Sequence, residues 1–179
     1  MTTKLALLQY DPEPAAVVAP DMDGRFTVPD KLLYIFTGDD YFQKFVTQYH
    51  GYRLGHFDTV TKISWVYQII YHGQKLAVAQ APLGAPAATM YLEMLIDFGA
   101  QTVIAVGSCG ALTALPECQL LVSTVALRDE GTSFHYLPAA NWMPLDPRAM
   151  RAIGVTLTKA QVSWPVSYTH LTLPTTERV

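Results

Sequence analysis

The sequence predicts an α/β layered domain with a largely parallel core, and three observations carry that prediction. Short apolar runs suited to strands recur along the chain: Leu32–Phe36, the run "TVIAVG" over 102–107, and "QLLVSTVAL" over 119–127. Between them lie stretches whose apolar residues fall at helical spacing. Strands that alternate with helices pack those helices on the faces of a parallel sheet. The chain has 179 residues, half of them hydrophobic and 15% charged, which suffices for one domain with a real core.

Each element has its own signal. Residues 1–30 are rich in proline and alanine with scattered acids, and read as an irregular N-terminal arm. The Leu32–Phe36 strand runs into Gly38-Asp39-Asp40. Phe42, Phe45, Val46 and Tyr49 then repeat at helical spacing. The stretch "ISWVYQIIYHGQKLAVAQ" reads as two strands around a turn at His72-Gly73. Pro86 suits a first helical turn, Ala87 to Phe98 continue the helix, and Gly99 ends it. The run Val103–Val106 reads as a buried strand, since Ile104 and Val106 are both apolar. In "LDPRAMRAIG", Asp146 is placed to cap a helix with Pro147 in its first turn. Trp65, Tyr67, Met90 and Met94 fall at core spacing.

Composition excludes several classes. The net charge is −3, so no basic face points to nucleic acid. No apolar run reaches the length of a membrane span, and the N-terminus does not read as a signal peptide. Cys109 and Cys118 fit neither a disulfide framework nor a zinc site. A reducing cytoplasm is the expected compartment, and no metal or organic cofactor is expected.

Two glycine-containing loops fall at predicted strand ends: Gly38-Asp39 and Gly107-Ser108-Cys109-Gly110. Ligands of open α/β sheets collect beyond the carboxyl ends of strands. Glycines let backbone approach a ligand, and N–H groups with the Ser108 hydroxyl can hold anionic oxygens. The other reading is that these glycines only permit tight turns. Neither a P-loop nor a G-x-G-x-x-G motif is present.

The stretch "APLGAPAATMYLEMLIDFGAQTVIAVGSCGAL", followed by "VSTVALRDEGTSFHYLP", resembles the nucleoside phosphorylase family of uridine phosphorylase and the hexameric purine nucleoside phosphorylases. The shared pattern is a Gly-x-Pro helix start, a helix ending at Phe-Gly, a strand, and Gly-Ser-Cys-Gly. The resemblance covers about residues 32–160. It implies a three-layer α/β/α fold, here incomplete, and a domain over 31–165. It also implies phosphorolysis of a nucleoside, uridine or a purine nucleoside, to free base and ribose 1-phosphate. Inorganic phosphate is then co-substrate, and a dimer-based homo-oligomer is expected. By the same resemblance Gly38, Ser108 and Lys62 bind phosphate, while Leu83, Cys109 and Gly110 line the nucleoside site.

The sequence departs from the family where phosphate is clamped. Family arginines present a planar fork to the anion. Their places hold Phe42 and Ala105 here, and Lys62 stands nearest the third, which a neighbouring subunit supplies. Arg128 is a further phosphate candidate, and a structural pair with Asp129 or Glu130 is its other reading. His135, between Phe134 and Tyr136, reads as a packed side chain or as a base or ribose contact. These departures keep open a nucleosidase, which uses water, and a non-catalytic nucleoside-binding protein on the same fold. The family's proton-donating carboxylate and its ribose-binding Met-Glu pair have no counterpart after residue 140, so no catalytic residue is assigned. The segment "VSYTHLTLPT" (166–175) resembles the translation of a transposase-type DNA sequencing adapter. Residues 166–179, His170 and Thr172 included, are therefore expected to be a non-native tail, on a truncated and inactive chain.

Overall fold

Leu32 and Tyr34 alternate with Leu33 and Ile35, so one strand is apolar on both faces and needs cover on both. The computed structural model describes residues 5–13, 26–110 and 114–169. Residues 1–4 and 14–25 of the expected arm, and 170–179 of the expected tail, lie outside the described residues. The chain divides into two units, Ala15–Gly110, and Met1–Pro14 with Ala111–Val179.

The first unit runs β1 (Lys31–Phe36), α1 (Asp39–Gln48), β2 (Tyr52–Asp58), β3 (Ile63–Tyr71), β4 (Gln74–Gln80), α2 (Ala85–Asp97) and β5 (Thr102–Gly107). Its sheet has the order β2-β3-β4-β1-β5. β1 lies parallel to both β4 and β5, while β3 is antiparallel to β2 and β4. The period of two sorts the side chains onto two faces. On one face Leu32, Tyr34, Val66, Ala77 and Ala79 pack with Tyr91 and Leu95 of α2. On the other, Ile35, Tyr67, Ile69 and Val78 pack with Phe42 and Val46 of α1. Helix, sheet and helix thus form three layers. The expected hairpin at His72-Gly73 is present, with both residues at positive φ.

Two expectations about burial are corrected. β5 is an edge strand with β1 on one side, and Ile104 on it is 53% exposed. Its Val103 packs under α2, but α1 lies over β1, β3 and β4 and leaves Ile104 and Val106 bare. Met90 is also exposed, because Tyr91, Leu95 and Phe98 are the stripe that α2 turns to the sheet. Trp65 is half-buried at the margin of its core, stacked under the Arg53 guanidinium at 4.1 Å.

The second unit holds a 3-10 helix Ala6–Leu8, β6 (Val122–Leu127), a 3-10 helix Thr132–His135, β7 (Trp142–Pro144), α3 (Pro147–Lys159) and β8 (Val166–Thr169). Its strands lie in the order β7-β6-β8. The Asp146 carboxylate caps α3 by accepting from the Arg148 N–H at 2.7 Å. β8 opens at Val166 and pairs with β6 in parallel. The assignment of 166–179 to a non-native tail remains a proposal that rests on sequence.

Candidate functional site

Strand register assembles the site. Ile35 lies opposite Gln80 and Phe36 opposite Gly107, so β1, β4 and β5 end together. The Ala81 N–H donates to the Ile35 carbonyl at 2.8 Å and locks the first pair of ends. The loops bearing Gly38, Leu83 and Ser108-Cys109-Gly110 therefore leave the sheet at one end. That is where an open α/β sheet places its ligand.

The glycines there do different work. A Cβ on Gly107 falls 2.9 Å from the Phe36 Cβ, so the close approach of β1 and β5 requires glycine. Gly84 has φ +95, a conformation that opens α2 and that side-chain-bearing residues avoid. Gly38 has an ordinary φ of −68, and a Cβ on it meets nothing within 4 Å. Packing therefore does not require a glycine at 38, and its open space lies before the first turn of α1. Leu83 is 97% exposed, and Cys109 is exposed as a free thiol.

Lys62 joins this end of the sheet. The Thr59–Lys62 turn is closed by Thr59 N–H to Lys62 O at 3.0 Å and Lys62 N–H to Thr59 Oγ1 at 3.0 Å. From it the Lys62 ammonium donates to Asp39 Oδ1 at 2.9 Å and Gln80 Oε1 at 3.1 Å. Gln80 Nε2 donates in turn to Asp39 Oδ1 at 2.7 Å and to the Thr37 carbonyl at 2.8 Å. The Lys62 hydrogen bond, then that of Gln80, then the Lys62 charge hold the Asp39 carboxyl below its usual range. A cavity of about 250 Å³ lies beside this cluster, lined also by Phe42, Ser64 and Trp65. Phe42 is buried with its ring edge-on to Tyr67 at 5.8 Å. The resemblance leads one to expect an anion-clamping arginine at this position, and the side chain here is a core phenylalanine.

The second unit carries the other two candidates. Arg128 is 7% exposed, and its guanidinium is consumed internally. Nε donates to Ser133 Oγ at 2.9 Å, Nη1 to Pro138 O at 2.6 Å, and Nη2 to Ser133 O and Leu137 O at 2.8 and 3.0 Å. The Phe134 ring lies 4.4 Å beneath it. The expected pair with Asp129 or Glu130 is thus replaced, among the described residues, by backbone carbonyls that the turn aims inward. Glu130 accepts instead from the Ser133 N–H at 3.1 Å. Burial raises the Glu130 pKa, but hydrogen bonds from Ser133 and Thr132 outweigh it and leave the carboxyl below its usual range. His135 ends its 3-10 helix exposed to solvent, which corrects its reading as a packed side chain.

Gly38, Lys62, Leu83, Ser108, Cys109 and Gly110 therefore belong to one unit and one end of its sheet. Arg128 and His135 belong to the other unit. Sequence reasoning missed Gln80. Its signal was present: a polar residue closing the apolar run "LAVAQ", at a strand end.

The profile of the phosphorylase superfamily matches residues 28–163. The chain belongs to that superfamily. A DeoD-type purine nucleoside phosphorylase of Limosilactobacillus reuteri is 32% identical over 85 residues, 42% of this chain and 36% of the relative. A uridine phosphorylase of Haemophilus influenzae is 30% identical over 76 residues, 42% of this chain and 29% of the relative. Among solved structures, uridine phosphorylase from Vibrio fischeri superposes with a TM-score of 0.70 at 25% identity, over 84% of this chain and 62% of that one. Purine nucleoside phosphorylase from Toxoplasma gondii superposes with a TM-score of 0.66 at 16% identity, over 79% of this chain and 56% of that one, and shares the fold. The matches span about a third of the two sequence relatives, and this chain spans about three fifths of the two structures. The mixed sheet flanked by helices is the phosphorylase fold.

Proposed function

We propose that this chain carries the phosphate and nucleoside cradle of a nucleoside phosphorylase. That is a pentosyltransferase of nucleotide salvage, which converts a nucleoside and inorganic phosphate to base and ribose 1-phosphate. The common end of β1, β4 and β5 carries the reading, because its register brings Gly38, Leu83 and the Ser108 loop to one mouth. Relatives named as purine nucleoside and uridine phosphorylases support the same chemistry.

Breaking a glycosidic bond develops positive charge on the ribose and negative charge on the departing base. In this reading an anion sits under the sugar on the Gly38 backbone, the Ser108 hydroxyl and Lys62 of the same chain. Lys62 reaches its own sheet end beside Asp39 and Gln80, and takes the place that the resemblance gives to a neighbouring subunit's arginine. Leu83, Cys109 and Gly110 border the nucleoside. A cytoplasmic, dimer-based homo-oligomer belongs to the proposal. Arg128 acts as the clasp of its own turn rather than as a phosphate ligand, since four of its five donors are already engaged.

Base release from uridine, inosine and adenosine, measured on the natural gene product containing these residues, tests the reading. Release that requires inorganic phosphate is expected. Equal release without phosphate overturns it in favour of a nucleosidase. Binding without turnover overturns it in favour of a nucleoside-binding protein. Ser108→Ala should raise KM for phosphate, since a hydrogen bond to a charged group is worth about 1.5–3 kcal/mol.

A further inference from the structure

We infer that Asp39 competes with the anionic co-substrate for Lys62, and that Gln80 holds that competitor in place. The inference rests on the phosphate reading above and specifies what sets anion affinity in the same site.

Lys62 is the one cation at the carboxyl ends of β1, β4 and β5 among the described residues of this unit. Lys31 and Lys75 lie at the opposite ends of β1 and β4, where Lys31 donates to Gln74 at 2.7 Å. Lys44 lies over Tyr41 and Arg53 over Trp65. An ammonium has three protons to donate. Two are given to Asp39 Oδ1 and Gln80 Oε1, at 2.9 and 3.1 Å. A carboxylate oxygen thus already occupies a place on Lys62 that a phosphate oxygen would take.

Gln80 makes this arrangement specific. Its amide bridges the ends of two adjacent parallel strands, donating to Thr37 O after β1 and to Asp39 Oδ1 in the first turn of α1. The same Asp39 oxygen therefore receives both the ammonium and the amide. Thr37 to Asp39 is the segment that presents Gly38, so the clip also sets the path of that backbone. The Asp39 side chain is 73% exposed and that of Lys62 50%. A pair that open to water is weak and exchanges readily. An incoming phosphate can take Lys62 from it, at an affinity lowered by the exchange.

Inorganic phosphate titrated into the full chain, with the side-chain resonances of Lys62 and Asp39 followed by NMR, tests this. Asp39→Asn is expected to bind phosphate about three- to tenfold tighter than the parent. Combining it with Lys62→Met should abolish the gain, which separates competition for one cation from a general change of charge. Asp40→Asn, whose carboxylate is not a partner of Lys62, should give a clearly smaller gain. Gln80→Leu should tighten binding by less than Asp39→Asn, since it frees one Lys62 proton and loosens the hold on Asp39 but leaves the competing carboxylate in place. Circular dichroism confirms that each variant keeps its fold. Phosphate binding that Asp39→Asn leaves unchanged or weakens overturns the inference alone. So does an equal gain from Asp40→Asn. Failure of both the parent and Asp39→Asn to bind phosphate overturns the phosphate reading itself.

Discussion

Residues 26–110 and 114–169 are held together by different forces. Every buried apolar side chain among the described residues lies between Val28 and Ala100. In the second stretch, among the residues whose burial is described, the buried side chain is a charged one, Arg128. The first region folds because its sheet is apolar on both faces and each face finds a helix. The second is organised by directed polar contacts: the Arg128 clasp, the Glu130 acceptor at Ser133 and the Asp146 cap of α3. Dispersion and hydrophobic burial are summed over many contacts, whereas a hydrogen-bonded turn depends on a few donors.

The largest expected effect tests the core. Leu95 is fully buried between α2 and the sheet. Leu95→Ala should cost about 2–5 kcal/mol, through lost transfer energy and the cavity left behind. Leu157→Ala on α3, half-exposed at its site, should cost far less. Denaturant unfolding of the two variants measures the contrast. Equal losses would mean that the two regions share one core.

Arg128→Met comes next. Three carbonyls and the Ser133 hydroxyl lose a charged donor together, for a loss of about 2–4 kcal/mol confined to the turn. Hydrogen exchange should rise over 128–138 and stay unchanged over 31–107. Arg128→Lys should recover little, because an ammonium cannot reproduce the planar fork.

Much of the first region was legible in the sequence, and less of the second. β1, β5 and α2 were readable from apolar runs bounded by Gly38, Gly84 and Gly99. β2 was not, because Gly55 breaks its alternation and marks a register shift against β3. The burial of β5 was misjudged for a physical reason. Apolarity says that a strand can be buried, but not whether another element covers it. The site divides similarly. Gly38 and Ser108 were visible as small residues at strand ends. The partners of Lys62 were not, since Asp39 lies 23 residues away and Gln80 18. Only the register of Ile35 with Gln80 joins them.

Loss of the helix cap should be smaller again. Asp146→Ala removes the acceptor for the Arg148 N–H and should cost about 1 kcal/mol of local helix stability. Amides of the first turn of α3 should exchange faster while the last turn keeps its protection. A uniform loss across the helix would mean that the cap sets the stability of the whole element.

The smallest effect lies at the Lys62 cluster and is best read by titration. Lys62 and Gln80 hold the Asp39 carboxyl below its ordinary range, so the ionised form is the one the folded chain favours. Any stability from this source is fully present above the unfolded carboxylate pKa, near 3.9. It is lost as pH falls through the lower folded value, when Asp39 takes a proton and releases Lys62. Both side chains are largely open to water, so the unfolding temperature should barely register the change. The midpoint of the Asp39 carboxylate, followed by carbon NMR, should register it clearly. Lys62→Gln should raise that midpoint toward the ordinary value, because it removes the strongest hydrogen bond and the charge together. Gln80→Leu should raise it less, since the ammonium remains. High salt should weaken only the charge contribution and leave the amide bond in place. A midpoint that Lys62→Gln does not move would mean that the pair is not formed in solution. Phosphate would then meet a free Lys62, and the two ends of the sheet would differ in geometry but not in electrostatic control.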